Sequence, residues 1–206
     1  MKGRIWICFM VCIIAAAALF GCGGGTKVVL KQENYVPAFR AADYSRFKGK
    51  TVIMDNFTNQ AANTKRWGYY SADNNFYYEA TTYLESHLWY CFQKAFQHAG
   101  MKVFDQTYGY GAYPYWWGVT PPPARQNAAL KDAVEFQLIL MSMTDQESKF
   151  QVLLFRGGEQ KFQKDYTVTM PAPSSQDPNE LEKNAYRLID QMVTTVFKDK
   201  EFRKVF

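Results

Sequence analysis

Three stretches in the second half of the chain alternate apolar and polar residues, which is the pattern of strands with one buried face. Their apolar positions are Val134, Phe136, Leu138 and Leu140, then Phe150, Val152 and Leu154, then Phe162, Tyr166, Val168 and Met170. Two short polar segments, Asp145–Ser148 and Arg156–Glu159, separate the stretches, and Gly157-Gly158 can supply the positive φ angles of a tight hairpin. The pattern predicts an antiparallel meander.

Two other segments repeat apolar residues every three or four positions, as amphipathic helices do. The first runs from about Phe76 to Ala99 and is followed by Gly100, a residue typical of a helix end. The second opens with Asp177-Pro178-Asn179-Glu180, which predicts an Asp N-cap, proline in the first turn, and a glutamate that bonds back to the cap. Its inward positions are Leu181, Ala185, Leu188, Met192 and Val196.

Residues 50–57 and 101–105 read as two further strands, which gives the order β-α-β-β-β-β-α. This order predicts an α+β domain over residues 50–206, built on one mostly antiparallel sheet with both helices on one face. Residues 22–49 are expected to form a Gly-rich tether, up to about Lys31, and an N-terminal segment with a short helix near Phe39–Tyr44.

The first 22 residues have the order of a secretory signal: a basic start, an apolar run from Ile5 to Phe20, then Gly21 and Cys22. Leu19-Phe20-Gly21-Cys22 resembles the lipobox of bacterial lipoproteins. The resemblance implies a signal peptide of residues 1–21, cleavage after Gly21 and a diacylglycerol on Cys22. Glycine rather than aspartate at residue 23 implies, by the same resemblance, the outer membrane facing the periplasm. The alternative is an uncleaved membrane anchor, but Ile5–Phe20 is shorter than the about 20 apolar residues of a spanning helix.

Charge and cysteine content argue against a nucleic-acid partner and against an internal disulfide. The formal net charge of +5 falls to +3 when Lys2 and Arg4 leave with the signal, and the remaining cations are scattered, so nucleic acid is not an expected partner. Cys8 and Cys12 would also leave, and Cys22 would be acylated. Only Cys91 then remains, so no internal disulfide is expected and the thiol should be buried.

Aromatic residues make up 17% of the chain, and two predicted loops are especially rich in them. Residues 108–118 interleave them with glycine and proline, and residues 66–70 form a smaller cluster. Rings on loops can contact a protein partner, a headgroup layer or a sugar. The predicted partner-binding residues are Tyr113, Tyr115, Trp116, Trp117, Trp67 and Tyr69. The alternative is that these rings bury themselves as a satellite cluster under the sheet.

Candidate chemistry is sparse. His87 and His98 lie eleven residues apart on one predicted helix, too far along its axis to share a metal, and are expected on its partly exposed face. Cys91 follows His87 by one turn, but a nucleophile also needs an oriented base, and no third group is evident. The sequence therefore predicts no enzyme activity, no metal and no cofactor; a hydrolase built on His87 and Cys91 is the alternative to be tested.

The lipobox, the size and the element order together resemble small envelope lipoproteins that assist transport. Examples are the lipopolysaccharide-assembly lipoprotein and the auxiliary lipoproteins of lipid-transporting ABC systems. The resemblance implies a non-catalytic accessory or assembly factor, anchored in the membrane through Cys22, with an envelope protein as partner. A carbohydrate- or peptidoglycan-binding lipoprotein is the alternative function.

Overall fold

A computed structural model describes residues 26–67, 76–105, 130 and 132–206. Within these ranges the chain forms eight strands in two sheets, together with three α-helices and two 3₁₀ helices. The fold class is therefore α+β, as the sequence predicts. The strands are β1 (Thr26–Leu30), β2 (Thr51–Asn59), β3 (Arg66–Trp67), β4 (Phe76–Ala80), β5 (Lys102–Asp105), β6 (Val134–Met143), β7 (Glu147–Arg156) and β8 (Glu159–Thr169). The α-helices are α1 (Leu84–His98), α2 (Pro178–Lys198) and α3 (Lys200–Val205), and the 3₁₀ helices are Gln32–Asn34 and Ala41–Phe47.

The larger sheet has five strands in the order β5-β2-β6-β7-β8 and is mixed. Strands β6, β7 and β8 form the predicted antiparallel meander. Strand β2, however, lies between β5 and β6 and is parallel to both, so the prediction of a single, mostly antiparallel sheet is only partly correct. Parallel neighbours need a long crossover connection, and here the chain between β2 and β5 includes β3, β4 and α1.

The smaller sheet has three strands in the order β1-β4-β3. Strand β1 runs parallel to β4, with Thr26 opposite Phe76, and β3 runs antiparallel to β4, with Trp67 opposite Tyr78. Residues 76–80 were expected as the first turns of a helix and form β4 instead. Phe76, Tyr78 and Ala80 alternate into the core, and aromatic residues favour strands, so a period of two prevails here over the helical period.

The domain also begins earlier than the predicted boundary at residue 50. Residues 26–30, expected as part of a tether, form β1, and its Val28 and Leu30 are buried in the main core. The following segment adds Tyr35, Tyr44 and Phe47 to the same core. The β-branched pair in Thr-Lys-Val-Val-Leu suits a strand, but the strand exists only because β4 is available to pair with it.

Helices α1 and α2 pack on one face of the larger sheet, as predicted. The contact is aromatic: the ring of Phe96 lies edge-on to Phe136 at 5.0 Å and is stacked with Phe197 at 5.3 Å between centroids. All three side chains are fully buried. On the opposite face of the sheet, Ile53 forms a second, smaller cluster of buried residues with Leu130 and Ala133.

Predicted local signals are confirmed at three places. Asp177 caps α2 by accepting a 2.8 Å hydrogen bond from the Asn179 backbone N–H, although Glu180 accepts from Lys183 rather than bonding to the cap. The residues of the Gly157-Gly158 hairpin have φ angles of +60° and +81°. Gly100, which follows α1, has φ of +84°.

Candidate functional site

Most of the residues predicted to be functional lie outside the described part of the chain. These are the lipidation site Cys22 and the aromatic residues Tyr69, Tyr113, Tyr115, Trp116 and Trp117. The structure describes only Trp67 of the predicted partner-binding set. It also brings together three groups of side chains: a buried polar cluster around Trp67, a surface groove, and the outer face of the smaller sheet.

Trp67 is fully buried, which corrects the prediction that it contacts a partner at the surface. Its ring lies edge-on to Tyr78 at 5.9 Å and to His87 at 5.5 Å between centroids. Because β3 pairs with β4 and α1 packs beneath them, Trp67 is held inside the domain instead of in a loop. The short strand β3 carried no periodic signal that could have revealed this.

His87 is fully buried in the same cluster, whereas the sequence placed it on a partly exposed helix face. Neither of its ring nitrogens has a hydrogen-bond partner among the described residues, and the same holds for the Trp67 indole N–H. Burial lowers the pKa of His87 to about 4, although the carboxylate of Glu33 acts in the opposite direction. Burial also raises the pKa of Tyr78 to about 12. The cluster is therefore neutral at physiological pH.

Cys91, one turn after His87, is buried as predicted. Burial is the main cause that raises the pKa of its thiol, and the carboxylates of Asp190 and Glu33 add to the effect against the opposing charge of Lys94. The thiol is accordingly held in its protonated, unreactive form.

A groove of about 450 Å³ separates the segment around the second 3₁₀ helix from the C-terminal end of α2. Phe39 and Tyr44, with rings edge-on at 5.2 Å, form its aromatic wall. Arg40 is paired with Asp43 at 2.8 Å. The remaining lining residues are Ala38, Thr194, Lys198 and Arg203.

The groove can hold an anionic group because two of its cations have no carboxylate partner among the described residues. Lys198 forms no ion pair there, and Arg203 uses its Nε–H to donate to the Phe197 carbonyl at 2.6 Å. A guanidinium keeps further N–H donors for a phosphate or carboxylate when Nε is engaged. Sequence reasoning missed this groove because residues 38–44 and 194–203 are far apart in the chain and neither segment has a motif.

The outer face of the smaller sheet is the third group, made of Lys27, Val29, Arg66, Tyr77 and Glu79. The Glu79 carboxylate accepts from Lys27 Nζ at 2.8 Å and from Arg66 Nε at 3.1 Å. These two bonds lower the pKa of Glu79, with the Lys27 bond contributing most. The Arg66 guanidinium also lies 4.7 Å from the centroid of the Tyr77 ring.

The described residues offer no other evident chemistry. They contain no group of three or more His, Cys, Asp or Glu side chains placed to hold a metal ion. None of their helices has the combination of length and apolar character that a membrane span requires.

Comparisons with known proteins add little. No family model and no curated protein matches the sequence. Among solved structures, the chain is similar to the crystal structure of protein XCC0632 from Xanthomonas campestris, assigned to the family model DUF330, with a TM-score of 0.48 and 10% sequence identity. The similarity covers 83% of this chain and 92% of that one, and a likeness of this degree carries no argument about function.

Proposed function

We propose that this protein is a lipid-anchored, non-catalytic accessory or assembly factor of the cell envelope, held by acyl chains on Cys22. The observation that supports the proposal most is the position of β1, which begins at Thr26, four residues after Cys22. At about 3.5 Å per extended residue, those four residues span at most about 14 Å. A lipobox followed so closely by a strand that contributes Val28 and Leu30 to the core suits a domain that works against the membrane surface.

The buried environment of the candidate nucleophile supports a non-catalytic role. A catalytic Cys–His pair needs a thiolate beside a base. Here burial keeps the Cys91 thiol protonated and makes it inaccessible to a substrate. Within the part of the chain that the structure describes, His87 has no hydrogen-bond partner that would orient it. The hydrolase alternative therefore loses the only two residues that suggested it.

The proposed partner is an envelope protein, bound through the aromatic-rich loops at Tyr69, Tyr113, Tyr115, Trp116 and Trp117. Tryptophan and tyrosine are enriched among the few residues that carry most of the binding energy at protein interfaces. A carbohydrate- or peptidoglycan-binding lipoprotein is the second candidate, because the same rings can stack on sugars. The outer membrane, facing the periplasm, is the proposed location.

Acylation is tested with matched cysteine variants of the full chain. Intact-mass analysis and labelling with radioactive palmitate should show a cleaved, acylated wild-type protein and an equally acylated Cys91→Ser variant, since Cys91 is buried and plays no part in anchoring. Cys22→Ser should carry no label. An unmodified thiol at Cys22 on a chain that still carries residues 1–21 would refute the anchor.

Partner binding is tested by cross-linking in intact cells with a photoreactive residue at Trp116 or Trp117. The same residue at Tyr83, an aromatic position with 56% of its surface exposed, serves as the control. A protein captured from the two tryptophan positions and not from Tyr83 supports the accessory role. Capture of cell-wall material alone, or pelleting of the protein with purified peptidoglycan, would favour the second candidate instead.

A further inference from the structure

The outer face of the smaller sheet lies next to the proposed anchor. Thr26 opens β1, and Lys27 and Val29 are the outward residues of that strand. The lipid on Cys22 can lie no more than about 14 Å from Thr26 along an extended chain. Lys27 is only one residue further from Cys22 than Thr26 is, so it also lies close to the lipid. No other sheet face of the described domain begins so near to Cys22 in the sequence.

The chemistry of this face matches a layer of phosphate-bearing headgroups. Lys27 and Arg66 share one carboxylate, Glu79, which leaves an excess of one positive charge on the face. Among the described ion pairs, Glu79 is the one carboxylate with two cations; pairs elsewhere, such as Lys149–Glu147 and Lys161–Glu159, are one to one. The excess makes the face attractive to anionic lipids.

One aromatic residue of this face lies against its cations. The Tyr77 ring lies under the Arg66 guanidinium, at 4.7 Å from the ring centroid. Tyrosine is enriched at the headgroup level because its ring is apolar and its hydroxyl is polar.

We infer that the outer face of the smaller sheet rests on the membrane and binds anionic phospholipid headgroups through Lys27 and Arg66, with Tyr77 at the interface. The inference rests on the proposed acylation of Cys22. A protein partner fits this surface less well, because Val29 is the one aliphatic side chain that the face presents. Interface cores need more apolar area than that.

The orientation can be measured with fluorescent probes on the full-length acylated protein in vesicles. The thiol of Val29→Cys reports the proposed face, and Thr167→Cys, an exposed β-branched position on β8, is the matched control. Cys22 is acylated and Cys91 is buried, so each variant has one reactive thiol. The vesicles contain phosphatidylglycerol and phosphatidylethanolamine with a nitroxide-labelled headgroup lipid as quencher, and vesicles of phosphatidylcholine serve for comparison.

We expect the probe at Val29→Cys to be quenched several-fold more than the probe at Thr167→Cys in the anionic vesicles. The difference should shrink in phosphatidylcholine and at high salt. The double variant Lys27→Gln/Arg66→Gln should reduce it, and Lys149→Gln/Lys161→Gln, which loses the same charge from β7 and β8, should not. Glu79→Gln should increase it, because that change raises the positive excess.

The outcomes separate this inference from the anchor on which it rests. Intact mass is recorded on each vesicle sample, and a non-acylated Cys22 refutes the anchor. An acylated sample with equal quenching at both probes, or with stronger quenching at Thr167→Cys, overturns the headgroup face and leaves the anchor in place. A difference that the Lys27→Gln/Arg66→Gln change does not alter also overturns it. Circular dichroism confirms that each variant is folded.

Discussion

Mild acid should weaken the fold through His87, and the replacement His87→Leu should remove that sensitivity. His87 is fully buried in the cluster with Trp67 and Tyr78, and none of the described residues around it offers a hydrogen bond to either ring nitrogen. A proton added to this imidazole in the folded protein would create a charge without solvent or a hydrogen-bonded partner. In the unfolded chain the same imidazole is hydrated and accepts a proton near its ordinary pKa.

The size of the effect follows from the difference between the two states. Burial lowers the pKa of His87 from 6.5 to about 4 in the folded protein. The unfolded state therefore binds the proton first as the pH falls. The stability that neutral His87 contributes is fully present above about pH 6.5. It is lost as the pH falls, until His87 in the folded protein is protonated as well. At about 1.4 kcal/mol per pKa unit the total loss is about 3 kcal/mol, of which about 2 kcal/mol is lost by pH 5.

The assay is urea denaturation of the full chain in detergent, followed by tryptophan fluorescence at a series of pH values. Other groups titrate in this range; for example, burial raises the pKa of Asp190, which acts in the opposite direction. The quantity to compare is thus the wild-type free energy of unfolding minus that of His87→Leu at each pH. His98→Gln, a change at an exposed histidine on the same helix, is the control.

Between pH 7.5 and pH 5, we expect wild type to lose about 2 kcal/mol of its free energy of unfolding relative to His87→Leu. His98→Gln should retain this loss of stability, since it leaves His87 unchanged. At neutral pH, His87→Leu should be close to wild type, because it removes from the interior two polar atoms that have no hydrogen-bond partner among the described residues, at little cost in volume. Parallel pH curves for wild type and His87→Leu would refute the reasoning.

Four further substitutions test the packing and the caps by the same denaturation assay. Phe197→Ala should cost about 3–5 kcal/mol, since it removes a fully buried ring from the helix–sheet contact; a loss below about 1 kcal/mol would contradict that packing. Asp199→Ala should cost about 1–2 kcal/mol by removing the cap that accepts the first N–H groups of α3, and an unchanged midpoint would show that the cap is dispensable. Gly100→Ala should destabilise more than Gly49→Ala: both have positive φ, but only at Gly100 would the new Cβ lie 3.2 Å from Lys48 Cγ. Equal losses at the two glycines would mean that Lys48 moves away freely.

Local signals in the sequence predicted local structure correctly. The hairpin at Gly157-Gly158, the end of α1 at Gly100 and the start of α2 at Asp177 each depend on residues within a few positions of one another. The meander of β6, β7 and β8 was also predictable, because neighbouring strands joined by short turns pair with each other. Burial of Cys91 followed from its place on the inward stripe of α1.

Residues 76–80 show where the periodic signal was ambiguous. Ala80, Leu84 and Leu88 continue a helical stripe, while Phe76, Tyr78 and Ala80 alternate like a strand, and Ala80 belongs to both patterns. The pairing of β4 with β1 and β3 decided between them, and both partners lie outside the window in which periodicity is read.

By itself, the sequence determined the leader that resembles a lipoprotein signal, the meander, both long helices and the α+β class. Only the tertiary structure decided that residues 26–30 form a strand, that Trp67 and His87 are buried together, and that Lys27 and Arg66 meet at Glu79. The reason is physical: turns and caps depend on hydrogen bonds between near neighbours in the chain. Strand pairing, burial and ion pairs depend on which distant segments the whole fold brings into contact.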